Sequence, residues 1–169
     1  MRKLLAAAIV AALVVLLGVA LQSTASGSGG KDVLEWDVMA PVDGPFVGAG
    51  TPVRGLAGGG LPWQIDRARG ELRSDGRLEV RVEGLVLARN APVPPNLQGT
   101  NPIPQFRAVV SCLTPASPVN GENVATDPFP ASPQGDALVR TTIALPDPCI
   151  APIVFVTSPT EQWFAVTGR

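Results

Sequence analysis

The stretch Arg77-Leu78-Glu79-Val80-Arg81-Val82-Glu83-Gly84-Leu85-Val86-Leu87-Ala88-Arg89 decides the fold class. Leu78, Val80 and Val82 alternate with Arg77, Glu79, Arg81 and Glu83. A period of two sends the apolar side chains to one face of a strand and the charges to the other. Gly84 interrupts the alternation, as a bulge or bend does. Leu85 to Ala88 is apolar on both faces, which predicts a segment in the middle of a sheet.

Working back from this strand, Ser74-Asp75-Gly76 is a turn signal, because Gly accepts the positive φ of a tight hairpin. Trp63 to Arg73 and Arg77 to Ala88 are therefore expected to pair as an antiparallel hairpin. Val33 to Val42, with Leu34, Trp36 and Val38 alternating with Glu35 and Asp37, reads as the first strand. Pro41 to Pro62 is rich in Gly and Pro and reads as loop, with room for one short strand around Thr51 to Leu56.

Working forward, Asn90 to Pro104 contains five prolines and is excluded from a central strand or a helix. Gln105 to Leu113 is expected to be a strand with Phe106, Ala108, Val110 and Cys112 on one face. Thr114 to Gln134 reads as a long Pro/Ser/Asn-rich excursion, a length that usually marks function or mobility. Asp136 to Leu145, Cys149 to Thr157 and Gln162 to Thr167 complete the strands. Pro152 marks the second of these as an edge or a bulge.

The predicted fold class is thus all-β: an antiparallel β-sandwich, immunoglobulin-like or related, of six to eight strands. No amphipathic helix is visible after residue 30, and no repeat of fixed period. The spacing of the two cysteines is too short for the antibody-type pair, and no matching Trp lies between them.

The 169 residues divide by composition. Arg2 and Lys3 precede an uninterrupted apolar run from Leu4 to Leu21, and Ser23-Thr24-Ala25 offers small residues for cleavage after Ala25. Residues 1–25 therefore read as a signal peptide that precedes the sandwich as an N-terminal helix. The rival reading is an uncleaved membrane anchor, since residues 4–21 approach spanning length. Residues 26–30 are Gly/Ser-rich and read as a flexible linker. Residues 31–169 form the single folded domain, placed outside the cytoplasm: secreted, or anchored to the outer face of the membrane by residues 4–21.

Removal of Arg2 and Lys3 leaves 11 basic against 14 acidic side chains. That balance gives no footprint for nucleic acid, and membrane contact is expected only through the N-terminal segment if it stays attached. The absence of His excludes histidine general-base chemistry and His metal sites. Cys112 and Cys149 are expected to form a structural disulfide in an oxidising compartment, in preference to a reactive or redox pair.

Three further groups are candidates. Trp36, Trp63 and Trp163 either pack in the core or lie exposed to stack on a sugar or an apolar partner. Glu35 and Asp37 flank Trp36 and either stand as solvated charges or serve as the acid and base of a glycoside hydrolase. Asp43, Asp75, Asn120, Asn123, Asp127 and Asp136 sit in turns, where Asp and Asn are favoured and where calcium also finds oxygen ligands. No ordered cation pattern is present, Ser nucleophiles lack an activating base, and Gly58-Gly59-Gly60 lacks the Lys and helix of a phosphate loop. No catalytic residue, metal or cofactor is assigned. The expected role is a non-enzymatic binding or interaction module at the bacterial cell envelope or in the medium, with an unidentified protein or carbohydrate partner. The alternatives are a self-assembling envelope protein acting through an exposed strand edge and, more weakly, a carboxylate-dependent glycoside hydrolase.

Overall fold

The computed structural model describes residues 29–168; the leader 1–25 and residues 26–28 of the linker lie outside the described residues. Among the described residues the chain is all-β, and all of its strand pairs are antiparallel. The strands are β1 (Asp32–Trp36), β2 (Ala40–Pro41), β3 (Trp63–Gln64), β4 (Arg67–Arg73), β5 (Arg77–Glu83), β6 (Val86–Leu87), β7 (Gln105–Thr114), β8 (Ser117–Ala125), β9 (Phe129–Pro130), β10 (Ala137–Thr142), β11 (Ile150–Thr157) and β12 (Trp163–Val166). Of these, β2, β3, β6 and β9 are only two residues long, so eight strands carry the architecture.

Two sheets hold them. One runs β1-β4-β5-β10; the other runs β2-β12-β11-β7-β8, with β9 also on β7. A single cluster of buried apolar side chains takes residues from both sheets, including Leu72, Leu78, Val80, Val82 and Val139 from the first and Phe106, Val110, Val154 and Phe155 from the second. The alternation in Arg77–Glu83 survives intact: Leu78, Val80 and Val82 are buried, and the four charged residues face outward.

Several expectations are corrected. Val33–Val42 is not one strand. It breaks after Trp36, and β1 and β2 enter different sheets, because Met39 is drawn into the core out of step with the alternation of β1. The hairpin is real, with Arg67 opposite Glu83 and Leu72 opposite Leu78, but Trp63–Gln64 splits away to pair with β6. Leu85–Ala88 is wholly buried yet leaves the large sheets. Gly84, at φ 68°, turns the chain out where a Cβ would meet the Asp66 carboxylate. Loop backbone then covers the segment: Leu85 N–H donates to Gly135 O, Leu87 N–H to Thr100 O and Ala88 N–H to Pro62 O.

The largest correction is at 114–134, which is not a loop. Ser117–Ala125 forms β8, a nine-residue edge strand against β7. A solvated edge needs little apolar pattern, and it tolerates Pro118 because half of its N–H groups point away from the neighbour. Pro152 marks a bulge and not an edge. The register of β11 against β7 slips between Ile150 and Ile153, and Ala151 sits at φ 44°. The linker's last glycine is fastened to the hairpin turn: Gly30 N–H donates to Asp75 Oδ2 at 3.0 Å, and Lys31 N–H to Ser74 Oγ at 2.9 Å.

Cys112 and Cys149 are bonded, with Cα atoms 4.8 Å apart. The bridge ties β7 to the residue just before the neighbouring β11 of the same sheet and encloses β8, β9 and β10 in its loop. By the chain-entropy argument a loop of this length stabilises the fold by about 4 kcal/mol.

Candidate functional site

The outward face of the β1-β4-β5-β10 sheet gathers the chemistry of the molecule. The hairpin register sets the residues opposite one another: Arg69 with Arg81, Glu71 with Glu79, and Glu35 with Glu71 on the next strand. Arg73 and Arg77 flank the turn at one end, and Glu83 with Asp136 beside Gly84 marks the other. Across β4 and β5 the sign persists at Arg69–Arg81 and Glu71–Glu79, while Arg67 stands opposite Glu83 and Arg140 of β10 opposite Glu79. The face therefore carries three bands of like charge across β4 and β5, namely Arg73 and Arg77, then Glu35, Glu71 and Glu79, then Arg69 and Arg81, followed by a mixed row of Arg67, Glu83 and Asp136. Successive bands are two residues apart, or about 7 Å.

Like charges directly opposite one another are unfavourable, by roughly 0.2–1 kcal/mol each. Ion pairs relieve part of this. Arg140 reaches Glu79 at 2.8 Å, Arg81 reaches Glu83 at 3.0 Å, and Arg73 lies 3.4 Å from both Asp32 and Glu71. Neither Arg67 nor Arg69 has a carboxylate within ion-pair distance among the described residues. With Arg81, Asp37 and Glu83 they line a shallow hollow in the face.

The residues singled out from sequence are placed differently. Trp36, Trp63 and Trp163 are 9 %, 4 % and 2 % exposed, so none offers a free indole face to a ligand. Trp63 stacks on Phe164 with ring centres 4.0 Å apart, and both meet Phe106 edge-on. Trp163 lies between Phe155 and Phe46. The Trp36 ring covers Gly70, where a Cβ would come within 2.4 Å of it. The reason is spacing: each Trp falls in a strand whose neighbours demand a large apolar filler.

Glu35 joins the acidic band and Asp37 lines the hollow beside the arginines; both also border an open hollow with Arg69, Glu71 and Glu79. The turn residues do local work. Asp43 accepts from Gly44 N–H at 2.7 Å, Asp136 from Gly84 N–H at 3.0 Å, and the Asn123 amide donates to Arg54 O at 3.0 Å. Asp75 accepts from the Gly30 and Arg77 N–H groups and pairs with Arg77 Nε at 2.8 Å. These contacts, the Gly30 bond foremost, lower its pKa below the ordinary carboxylate value. Among the described residues no group of three or more His, Cys, Asp or Glu side chains is placed to hold a metal ion. The glycine run is structural: Gly59 N–H donates to Trp163 O, and Gly58 packs on the Phe46 backbone.

The bands themselves went unread in the sequence. Their signal was the charge order of Arg67-Ala-Arg-Gly-Glu-Leu-Arg set against Arg77-Leu-Glu-Val-Arg-Val-Glu, folded about Ser74-Asp75-Gly76. Aligning the two arms brings Arg69 to Arg81 and Glu71 to Glu79. No protein family, curated protein or solved structure matches the chain. Among the described residues no helix is long and apolar enough to cross a membrane, and the disulfide is compatible with a location outside the cytoplasm.

Proposed function

We propose that the protein is an exported, non-enzymatic interaction module whose two sheets pack as a β-sandwich, and that it docks through the banded face of the β1-β4-β5-β10 sheet. The sandwich is related to the immunoglobulin type and distinct from it, since the disulfide joins adjacent strands of one sheet. The observation that carries the docking role is the set of like-charge pairs Arg69–Arg81 and Glu71–Glu79. A face needed only for solubility is better served by interspersed signs, which avoid cross-strand repulsion. Bands of one sign are useful when an opposing surface supplies the countercharge, because they fix register and suppress wrong partners.

The test is carbodiimide labelling of carboxylates, mapped by mass spectrometry, on the protein in its own envelope or medium fraction and again after purification and dilution. Glu71 and Glu79 are expected to be shielded in the first state and labelled in the second. Equal labelling in both states, with shielding elsewhere or nowhere, overturns the proposal.

A further inference from the structure

The banded face has a symmetry that a single extended chain or a uniformly charged polymer cannot match. Its central bands run across both β4 and β5. A peptide lying along one strand would compensate one column and leave the other repelled. A nucleic acid or another polyanion would meet the carboxylates of Glu71 and Glu79. The matching surface is a second sheet bearing the same bands displaced by one step.

We infer that the occupant of this face is a second copy of the chain, related by a two-fold axis that lies parallel to the bands, between the Glu71/Glu79 band and the Arg69/Arg81 band. This rests on the docking role proposed above and names its partner. Such an axis keeps each strand over its own counterpart and reverses its direction. Glu79 then faces the second copy's Arg81, Glu71 its Arg69, and Arg77 its Glu83, each contact occurring twice, as an isologous interface requires. Of the eight outward positions on β4 and β5, only Arg67 and Arg73 meet a like charge, and Arg73 is already held by Asp32 and Glu71 in its own chain. A two-fold axis parallel to the strands would set each of the three like-charged bands on its own sign.

Sheet twist limits the match to the middle strands. Aligned sheets cross at about 30°, so β1 and β10 diverge while β4 and β5 stay in register. Two strands about 4.8 Å apart and four rows about 7 Å apart cover roughly 250–300 Å² per copy. That is below the ~800 Å² per partner of a standard interface, so the association is weak and transient. It is electrostatic, and salt weakens it.

The experiment is sedimentation equilibrium on the protein as recovered from its exporting cell, from about 10 μM to about 1 mM. Salt is set at about 0.01 M and about 1 M, where the screening length falls from about 30 to about 3 Å. The expected result is a monomer–dimer equilibrium at low salt, weakened at least tenfold at high salt. Arg81→Glu and Glu79→Arg should each abolish the dimer, since each sets like charges face to face. Mixed in equal amounts, the two variants should associate again, because every Glu–Arg contact is restored in the heterodimer. Both positions are outward-facing, and near-ultraviolet circular dichroism of the buried tryptophans checks that each variant is folded.

A wild-type monomer throughout overturns the inference; so do folded variants that fail to complement, or single variants that associate like the wild type. If sedimentation shows only monomer while Glu71 and Glu79 remain shielded in the envelope or medium fraction, the second copy is excluded and the docking face stands. If the shielding is absent too, both fall.

Discussion

The two sheets differ in how many of their faces they give to water. In β7 and β11, at the centre of the larger sheet, six successive residues from Ala108 to Leu113 and five from Ile153 to Thr157 are buried or half-buried whichever way they point. The β1-β4-β5-β10 sheet buries one face and surrenders the other to charge. The larger sheet therefore buries both of its faces at its centre, while the smaller one contributes to the core with a single face. The outward face of the smaller one is where residues can change without cost to the fold. Separating the two lets a surface carry unfavourable like-charge pairs that a marginal core could not absorb.

Substitutions that cross from one region to the other should show the contrast. Phe106, fully buried against Trp63 and Phe164, should cost about 3–5 kcal/mol on replacement by Ala, read as a lowered urea midpoint. Replacing Cys112 and Cys149 together by Ser should cost about 4 kcal/mol, and reduction of the wild type should reproduce most of that loss. Gly70→Ala tests a place where the charged sheet is tightly packed. A Cβ there would approach Glu79 O to 2.2 Å and the Trp36 ring to 2.4 Å, so the loss should be about 1–3 kcal/mol with a change in tryptophan fluorescence.

At the small end stands the Asp75 carboxylate, which fastens Gly30 to the turn. Its pKa is lowered in the fold, so its contribution is present above the unfolded carboxylate value, about 3.9, and disappears as pH falls through the lower folded value. Amide exchange at Gly30, corrected for intrinsic rate, should accelerate below about pH 4. It should be fast at neutral pH in Asp75→Asn.

How far the sequence could be read follows the same division. Where one face is dry and the other wet, alternation is strict, and Leu78, Val80 and Val82 were legible at once. Where both faces are covered, the pattern is a featureless apolar run, so Leu85–Ala88 looked like a sheet centre when loops cover it. Where neither face is much buried there is no apolar signal to read, and Ser117–Ala125 passed for a loop although β7 holds it along nine residues. The disulfide was accessible because the chain has only two cysteines and an N-terminal stretch that reads as an export leader, the latter outside the described residues. The tryptophans were ambiguous because burial is a property of neighbours. The candidate site was hidden because charge bands exist only after two strands are placed in register.

The central claim is that the banded face is carried by the fold without supporting it. Arg69→Gln, Glu71→Gln, Glu79→Gln and Arg81→Gln combined in one chain remove its two middle bands. Urea denaturation of that variant is the direct measurement. The expected free energy of unfolding is within about 0.5 kcal/mol of the wild type, or slightly above it as like-charge repulsion is relieved. A loss of more than about 2 kcal/mol would contradict it, by showing that the bands hold the sheet together.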